Sequence, residues 1–238
     1  MTTISQLADD RHPLVRAMAA QLTTGTTDLR GRLQAIFHYV RDDIKFGFPA
    51  NGDFVRASET IVLGYGQCNT KSTLFLALCR ALDIPARIHF SLIKKEIQRG
   101  LFTGLEYALL PEYLSHSWVE VEVEGSWRRL DAYINDRPFY HVGRKLLRER
   151  DWTTGFSVSC AKGASGIEFD LDDEKFVQMD AVVEDHGIWI DPADYFTSGW
   201  YKNRPNALRM LAYRLRIGGI NRKVDALRGQ CTTGLCGG

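Results

Sequence analysis

The stretch HSWVEVEVEGSWRRLD, from His116 to Asp131, constrains the fold more than any other part of the chain. Val119, Val121 and Val123 alternate with Trp118, Glu120 and Glu122, the period-two pattern of a strand with one buried face. Glu124-Gly125 suits a two-residue hairpin turn, and Trp127 to Leu130 supply the returning strand. A hairpin of this kind must lay its valine face on something apolar. The turn length also sets the register. Trp118 then faces Asp131, and His116 is the diagonal neighbour of Asp131 on the same face. Diagonal neighbours lie roughly 7–8 Å apart at Cα, a gap that long side chains close.

A second informative stretch lies upstream, GYGQCNTKSTLFLALCRALDIPAR from Gly64 to Arg87. A helix is expected from near Cys68 to Leu82, with Asp83 and Pro85 marking its end because proline cannot continue a helix. Gly64 and Gly66 allow a sharp entry turn. Cys68 stands at the helix start, where unpaired N–H groups and about half a positive charge gather. Such a position lowers a thiol pKa from about 8.5 and can hold an oxyanion. Cys79 sits in the same helix among Leu76, Leu78 and Leu82 and reads as core. Cys68 by itself reads as core; it gains catalytic meaning only with a base.

His116 can be that base. Asp131 can accept from one imidazole nitrogen and fix the tautomer, leaving the other free to take the Cys68 proton. A His and an Asp on one hairpin also describe an inert surface pair. The three residues together favour catalysis. Of the other histidines, His38 reads as packing or surface, His89 as a satisfied strand histidine or a pocket residue, and His12 as solvated.

Elsewhere the pattern is plainer. Residues 27–44 have helical spacing with Thr27 or Asp28 as cap. Residues 46–57 read as a loop, Ser58 as the cap of a short helix, and 86–93 as a strand. Residues 140–150 read as a helix. Residues 155–190 read as short strands and turns that cover the cleft, and 192–230 as helix broken at Gly218-Gly219. A single domain is expected, with a core at about 27–135, an extension at about 136–230 and a flexible tail at 231–238. The Gly237-Gly238 end is read as part of that tail.

A net charge of +1 gives no reason to expect nucleic acid or an anionic membrane as partner, and no apolar run approaches the roughly 20 residues of a membrane span. The five cysteines are odd in number and irregularly spaced, which speaks against a disulfide framework and for a cytoplasmic protein. No C-x-x-C or H-x-x-x-H pair is present, so no metal is expected, and the DLDDE run reads as a solvated acidic turn. No cofactor is expected, and oligomeric state has no signature.

The blocks GQC…ALCRALDIPAR and HSWVEVEVEGSWRRLD resemble motifs of the transglutaminase-like superfamily. The resemblance implies an α+β, papain-like core with a cysteine helix packed on an antiparallel sheet, and a helical C-terminal extension here. It implies Cys68 as nucleophile, His116 as general base and acid, and Asp131 as orienting group. Asp83 and Ala132 depart from the common glycine and proline of these motifs. No match exists for the oxyanion tryptophan of animal transglutaminases. The backbone N–H of Cys68 and the side chains of Gln67 or Tyr65 are the candidates instead. Trp118 and Trp127 either wall a cleft or belong to the core. The implied chemistry is acyl transfer at an amide of a peptide, protein or other substrate, first as a cysteine peptidase or amidase. The alternatives are an amide-forming acyltransferase or transglutaminase, and a non-catalytic binding module that keeps the fold.

Overall fold

The computed structural model describes residues 6–163 and 165–230; the expected tail at 231–238 lies outside the described residues. The chain opens with α1 (Pro13–Leu22) and α2 (Leu29–His38), which continues into a π-helical turn at Tyr39–Asp43. A two-residue strand β1 (Lys45–Phe46), helix α3 (Ala57–Leu63) and strand β2 (Tyr65–Gly66) lead into α4 (Cys68–Ala81). Next come β3 (Ala86–Lys94), α5 (Gly104–Ala108), β4 (Tyr113–Val123), β5 (Ser126–Leu130) and α6 (Arg137–Glu149). Short strands β6 (Thr154–Gly155) and β7 (Val158–Ser159) precede β8 (Val182–Trp189), α7 (Pro192–Thr197) and α8 (Ala207–Gln230).

Four strands form the main antiparallel sheet in the order β5-β4-β3-β8. Helix α4 lies on β4 and β3, with α1, α2 and α3 packed around it. Its residues from Leu74 to Cys79 are all buried, together with Val119 and Val121 of β4. A helix buried on every side needs partners all round, and this ring of helices and strands supplies them. The opposite face of the sheet carries a smaller cluster of Trp118, Phe176 and Met179.

The expected hairpin register is the observed one: Val119 pairs with Leu130 and Val123 with Ser126. Glu124 and Gly125 both adopt positive φ, 52° and 75°, as a tight hairpin turn requires. Asp28 caps α2, accepting from the Gly31 N–H at 2.8 Å.

Residues 13–22 form α1, capped by His12, and Val15 and Ala19 supply its buried stripe. Two expectations are corrected. Ser58 does not cap α3. The helix starts at Ala57, and Ser58 Oγ donates instead to Asp9 Oδ2 at 2.6 Å. Helix α8 runs unbroken through Gly218-Gly219. Each glycine costs about 1 kcal/mol against alanine. Burial of Ile217, Ile220 and Val224 outweighs that, at roughly 1.5–3 kcal/mol per side chain.

The entry to α4 is held from below by polar contacts. The fully buried Lys71 donates from Nζ to the carbonyls of Ile44 (2.7 Å) and Arg41 (3.2 Å). Asp136 accepts from the Phe46 N–H at 2.9 Å and pairs with Arg228 of α8 at 2.8 Å. These bonds fix the β1–β2 ladder, and with it the approach to Cys68.

Candidate active site

Cys68 is the first residue of α4 and is 7% exposed. Gln67 caps the helix: its Oε1 accepts from the Asn69 N–H at 3.1 Å and from the Cys68 thiol at 2.9 Å. The Gln67 amide nitrogen is committed to the carboxylate of Asp53. Asn69 Nδ2 also donates to Asp53, at 3.0 Å, and so does the Tyr201 hydroxyl, at 2.7 Å. Asp53 is thus a partly buried carboxylate that ties the cysteine turn to the segment between α7 and α8. Gln67 therefore turns an acceptor, not a donor, toward the sulfur. The backbone N–H of Cys68 belongs to the first helical turn, whose amides lack intrahelical acceptors.

Strand β4 outruns β5, whose pairing begins only at Val119, so the edge of β4 from Tyr113 to Ser117 is left for other partners. The Cys68 sulfur sits at this edge, 4.0 Å from the carbonyl oxygen of Ser115. Asn69 Nδ2 donates to the Ser115 carbonyl at 3.4 Å, and Ser72 Oγ to the Ser117 carbonyl at 3.1 Å. His116 lies between these two serines. It is fully buried, and neither of its ring nitrogens has a hydrogen-bond partner among the described residues.

Asp131 follows β5 and is also fully buried. Its Oδ2 lies 3.9 Å from His116 Nε2, which is the diagonal approach read from the hairpin register. Its hydrogen bonds go elsewhere: it accepts from the backbone N–H groups of Val177 (2.6 Å), Gln178 (2.8 Å) and Met179 (2.7 Å).

Burial dominates the electrostatics. It pushes the Cys68 thiol up, and the Asp53 charge adds to that. The expected low thiol pKa is therefore overturned in this conformation, because loss of solvent outweighs the helix end. Burial lowers His116 to about 3, with Gln178 as the side chain that pulls the other way. It raises Asp131 to about 7, against the pull of its three peptide donors. The site as it stands holds a neutral thiol and a neutral imidazole.

The remaining candidates are placed differently. Trp118 is in the outer cluster, 4% exposed and stacked on His89 at 4.2 Å, so it is core rather than a cleft wall. His89 is a paired histidine, with Asp185 Oδ1 at 2.5 Å and Glu120 Oε1 at 3.3 Å. Trp127 is partly exposed on β5 under the Arg87 guanidinium. The half-buried Tyr65 ring packs against Gly47. Phe176 and Met179 pack against Trp118, and the Gln178 N–H between them donates to Asp131. Among the described residues no group of three or more His, Cys, Asp and Glu is arranged to hold a metal ion. None of their helices is long and apolar enough to cross a membrane.

Asp53, Asn69, Tyr201 and Asn203 were not read from the sequence. Asn69 alone carried a local signal, a polar side chain beside the cysteine in the first helical turn. The others lie in loops distant along the chain.

A cysteine at the head of a helix, packed on an antiparallel sheet that carries a histidine and an aspartate, defines the papain-like α+β class. Residues 16–132, from within α1 to just past Asp131, match the family model of the transglutaminase-like superfamily. Two solved structures are similar over about half of this chain. One is a proposed cysteine protease from Cytophaga hutchinsonii, with 22% identity and a TM-score of 0.42 over 54% of this chain and 39% of that one. The other is a proposed protease from Parabacteroides distasonis, with 14% identity and a TM-score of 0.40 over 55% of this chain and 25% of that one. The chain thus matches well under half the length of either structure. No curated protein matches it.

Proposed function

We propose that this chain catalyses thiol-dependent acyl transfer at an amide bond, as a cysteine peptidase or amidase. One juxtaposition supports the reading above others. The Cys68 sulfur lies 4.0 Å from the carbonyl of Ser115, the residue next to His116, and Asp131 stands 3.9 Å from His116 Nε2. Their proposed roles are nucleophile at the start of α4, base on β4 and orienting group just past the end of β5.

In the proposed reaction His116 takes the thiol proton as sulfur attacks the carbonyl carbon. The oxyanion is met by amides of the first turn of α4, including that of Cys68. The imidazolium, stabilised by Asp131, gives its proton to the leaving amine, and a thioester remains on Cys68. Water, deprotonated by His116, releases the acid; an amine in its place would release a new amide. Water must reach the imidazole in this sequence, and its entry relieves the burial that holds the resting pair neutral.

A peptide-library cleavage screen, run with and without an added primary amine, tests the proposal. New carboxyl termini formed regardless of amine, and lost in Cys68→Ala, are the expected result. Amide products that depend on the amine would mark a transferase instead. Peptide binding without turnover, undiminished in Cys68→Ala, would reduce the protein to a binding module.

A further inference from the structure

The open edge of β4 beside Cys68 is occupied by a side chain from the other end of the chain. Asn203, in the segment between α7 and α8, donates from Nδ2 to the Tyr113 carbonyl at 2.8 Å. Its Oδ1 accepts from the Ser115 N–H at 2.5 Å. This is the two-point contact that one residue of a parallel neighbouring strand makes through its own N–H and C=O, made here by a single primary carboxamide. The contact adjoins the sulfur directly, because the carbonyl of the same Ser115 lies 4.0 Å from Cys68 Sγ.

The segment is fastened on both sides of the cysteine. Tyr201 is 6% exposed, and its hydroxyl donates to Asp53, which in turn holds Gln67 and Asn69. Asn203 holds β4. The loop carries its own braces: Arg204 Nη2 donates to the Phe196 carbonyl at 2.9 Å and Lys202 Nζ to the Gly199 carbonyl at 2.8 Å. The full burial of His116 and near burial of Cys68 are seen with this segment in place.

We infer that the β4 edge from Tyr113 to Ser115 is a subsite for an amide-bearing part of the substrate, either a primary carboxamide or the N–H and C=O of one residue in extended conformation, and that Asn203 is its internal occupant. A substrate carboxamide, or one extended residue through its own N–H and C=O, would replace the Asn203 carboxamide bond for bond, donating to the Tyr113 carbonyl and accepting from the Ser115 N–H. Its flanking atoms would then lie at the sulfur. The Tyr113 carbonyl requires a donor, so the subsite accepts amides with an N–H and rejects carboxylates, esters and fully substituted amides. The inference rests on Cys68 being the reacting group of the proposed function.

The test uses the full chain and two alkylating reagents. Iodoacetamide carries an N–H donor; N,N-dimethyl-2-iodoacetamide does not. Rates of Cys68 labelling are followed by mass spectrometry in wild type, Asn203→Ala and Asn203→Asp, and the ratio of the two reagents is normalised to that for N-acetylcysteine. Emptying the subsite is expected to raise the iodoacetamide rate by about tenfold and to shift the normalised ratio toward iodoacetamide by at least several-fold, since two hydrogen bonds become available to the reagent. Equal acceleration of both reagents would leave a simple cover and overturn the amide subsite. Unchanged rates would overturn both. Cys79, fully buried in α4, must stay unlabelled; if it labels in Asn203→Ala, the near-isosteric Asn203→Asp decides. Alkylation measures access and recognition without needing His116. Reagent preference without peptide turnover would sink the proposed function and spare the subsite, and turnover without preference would do the reverse.

Discussion

Asp131 is asked to serve two structures at once, and the distances say which one depends on it more. Its contact with His116 Nε2 is 3.9 Å, too long for a hydrogen bond. Its contacts with three peptide N–H groups of 177–179 are 2.6–2.8 Å. Replacing Asp131 with alanine leaves those donors buried and unpaired. At about 1–3 kcal/mol each, without full additivity, the expected loss is roughly 3–6 kcal/mol, a large part of the 5–15 kcal/mol that a domain commonly has. Asp131→Asn keeps the volume and one acceptor oxygen but turns an NH2 toward a peptide N–H, so about 2–3 kcal/mol is expected. Urea unfolding at pH 8, above the raised Asp131 pKa of about 7, gives both values with unchanged slope. If Asp131→Asn unfolds within about 0.5 kcal/mol of wild type, the carboxylate is not the anchor of 177–179 and this account of it is wrong.

Two further substitutions probe the approach to Cys68. Burial lowers Lys71 to about 7, so the unfolded chain binds its proton more readily between there and the ordinary 10.5. The stability linked to Lys71 is present above about 10.5 and lost as pH falls through 7. Wild type should therefore gain on the order of a few kcal/mol over Lys71→Met between pH 7 and pH 9.5, and a pH-independent difference in urea midpoints would contradict the charge-burial reading. A Cβ at Gly66 would come within 2.5 Å of Thr70 Oγ1, which is itself fixed by bonds to the Gln67 backbone. Gly66→Ala should cost about 1–3 kcal/mol and loosen the cysteine turn, read as lower melting temperature together with faster Cys68 alkylation; full stability would show that Thr70 yields freely.

The hairpin and the cysteine helix could be read from the sequence because local chemistry decides them. Alternating valines, a Glu-Gly turn and a proline stop each act within a few residues, and the turn length alone carried Asp131 to His116. What could not be read depends on partners far along the chain. Gly218-Gly219 would break an isolated helix, but α8 is held by Ile217, Ile220 and Val224 against the body of the protein. Asp53 lies in a loop without periodicity and gains its place from Gln67, Asn69 and Tyr201. The thiol pKa was misjudged for the same reason. A helix start is visible locally, whereas the burial that overrides it depends on the fold bringing distant residues such as Ser115 of β4 up to the sulfur.

The central claim is that the Cys68 sulfur and the His116 ring meet within one small substrate. Treatment with 1,3-dibromoacetone, whose two electrophilic carbons are separated by a single carbonyl, measures this directly when followed by peptide mapping. The account predicts a covalent bridge between the peptides that carry Cys68 and His116, absent in His116→Ala. Cys68 alkylated at one end only, or bridged to a different residue, would contradict it.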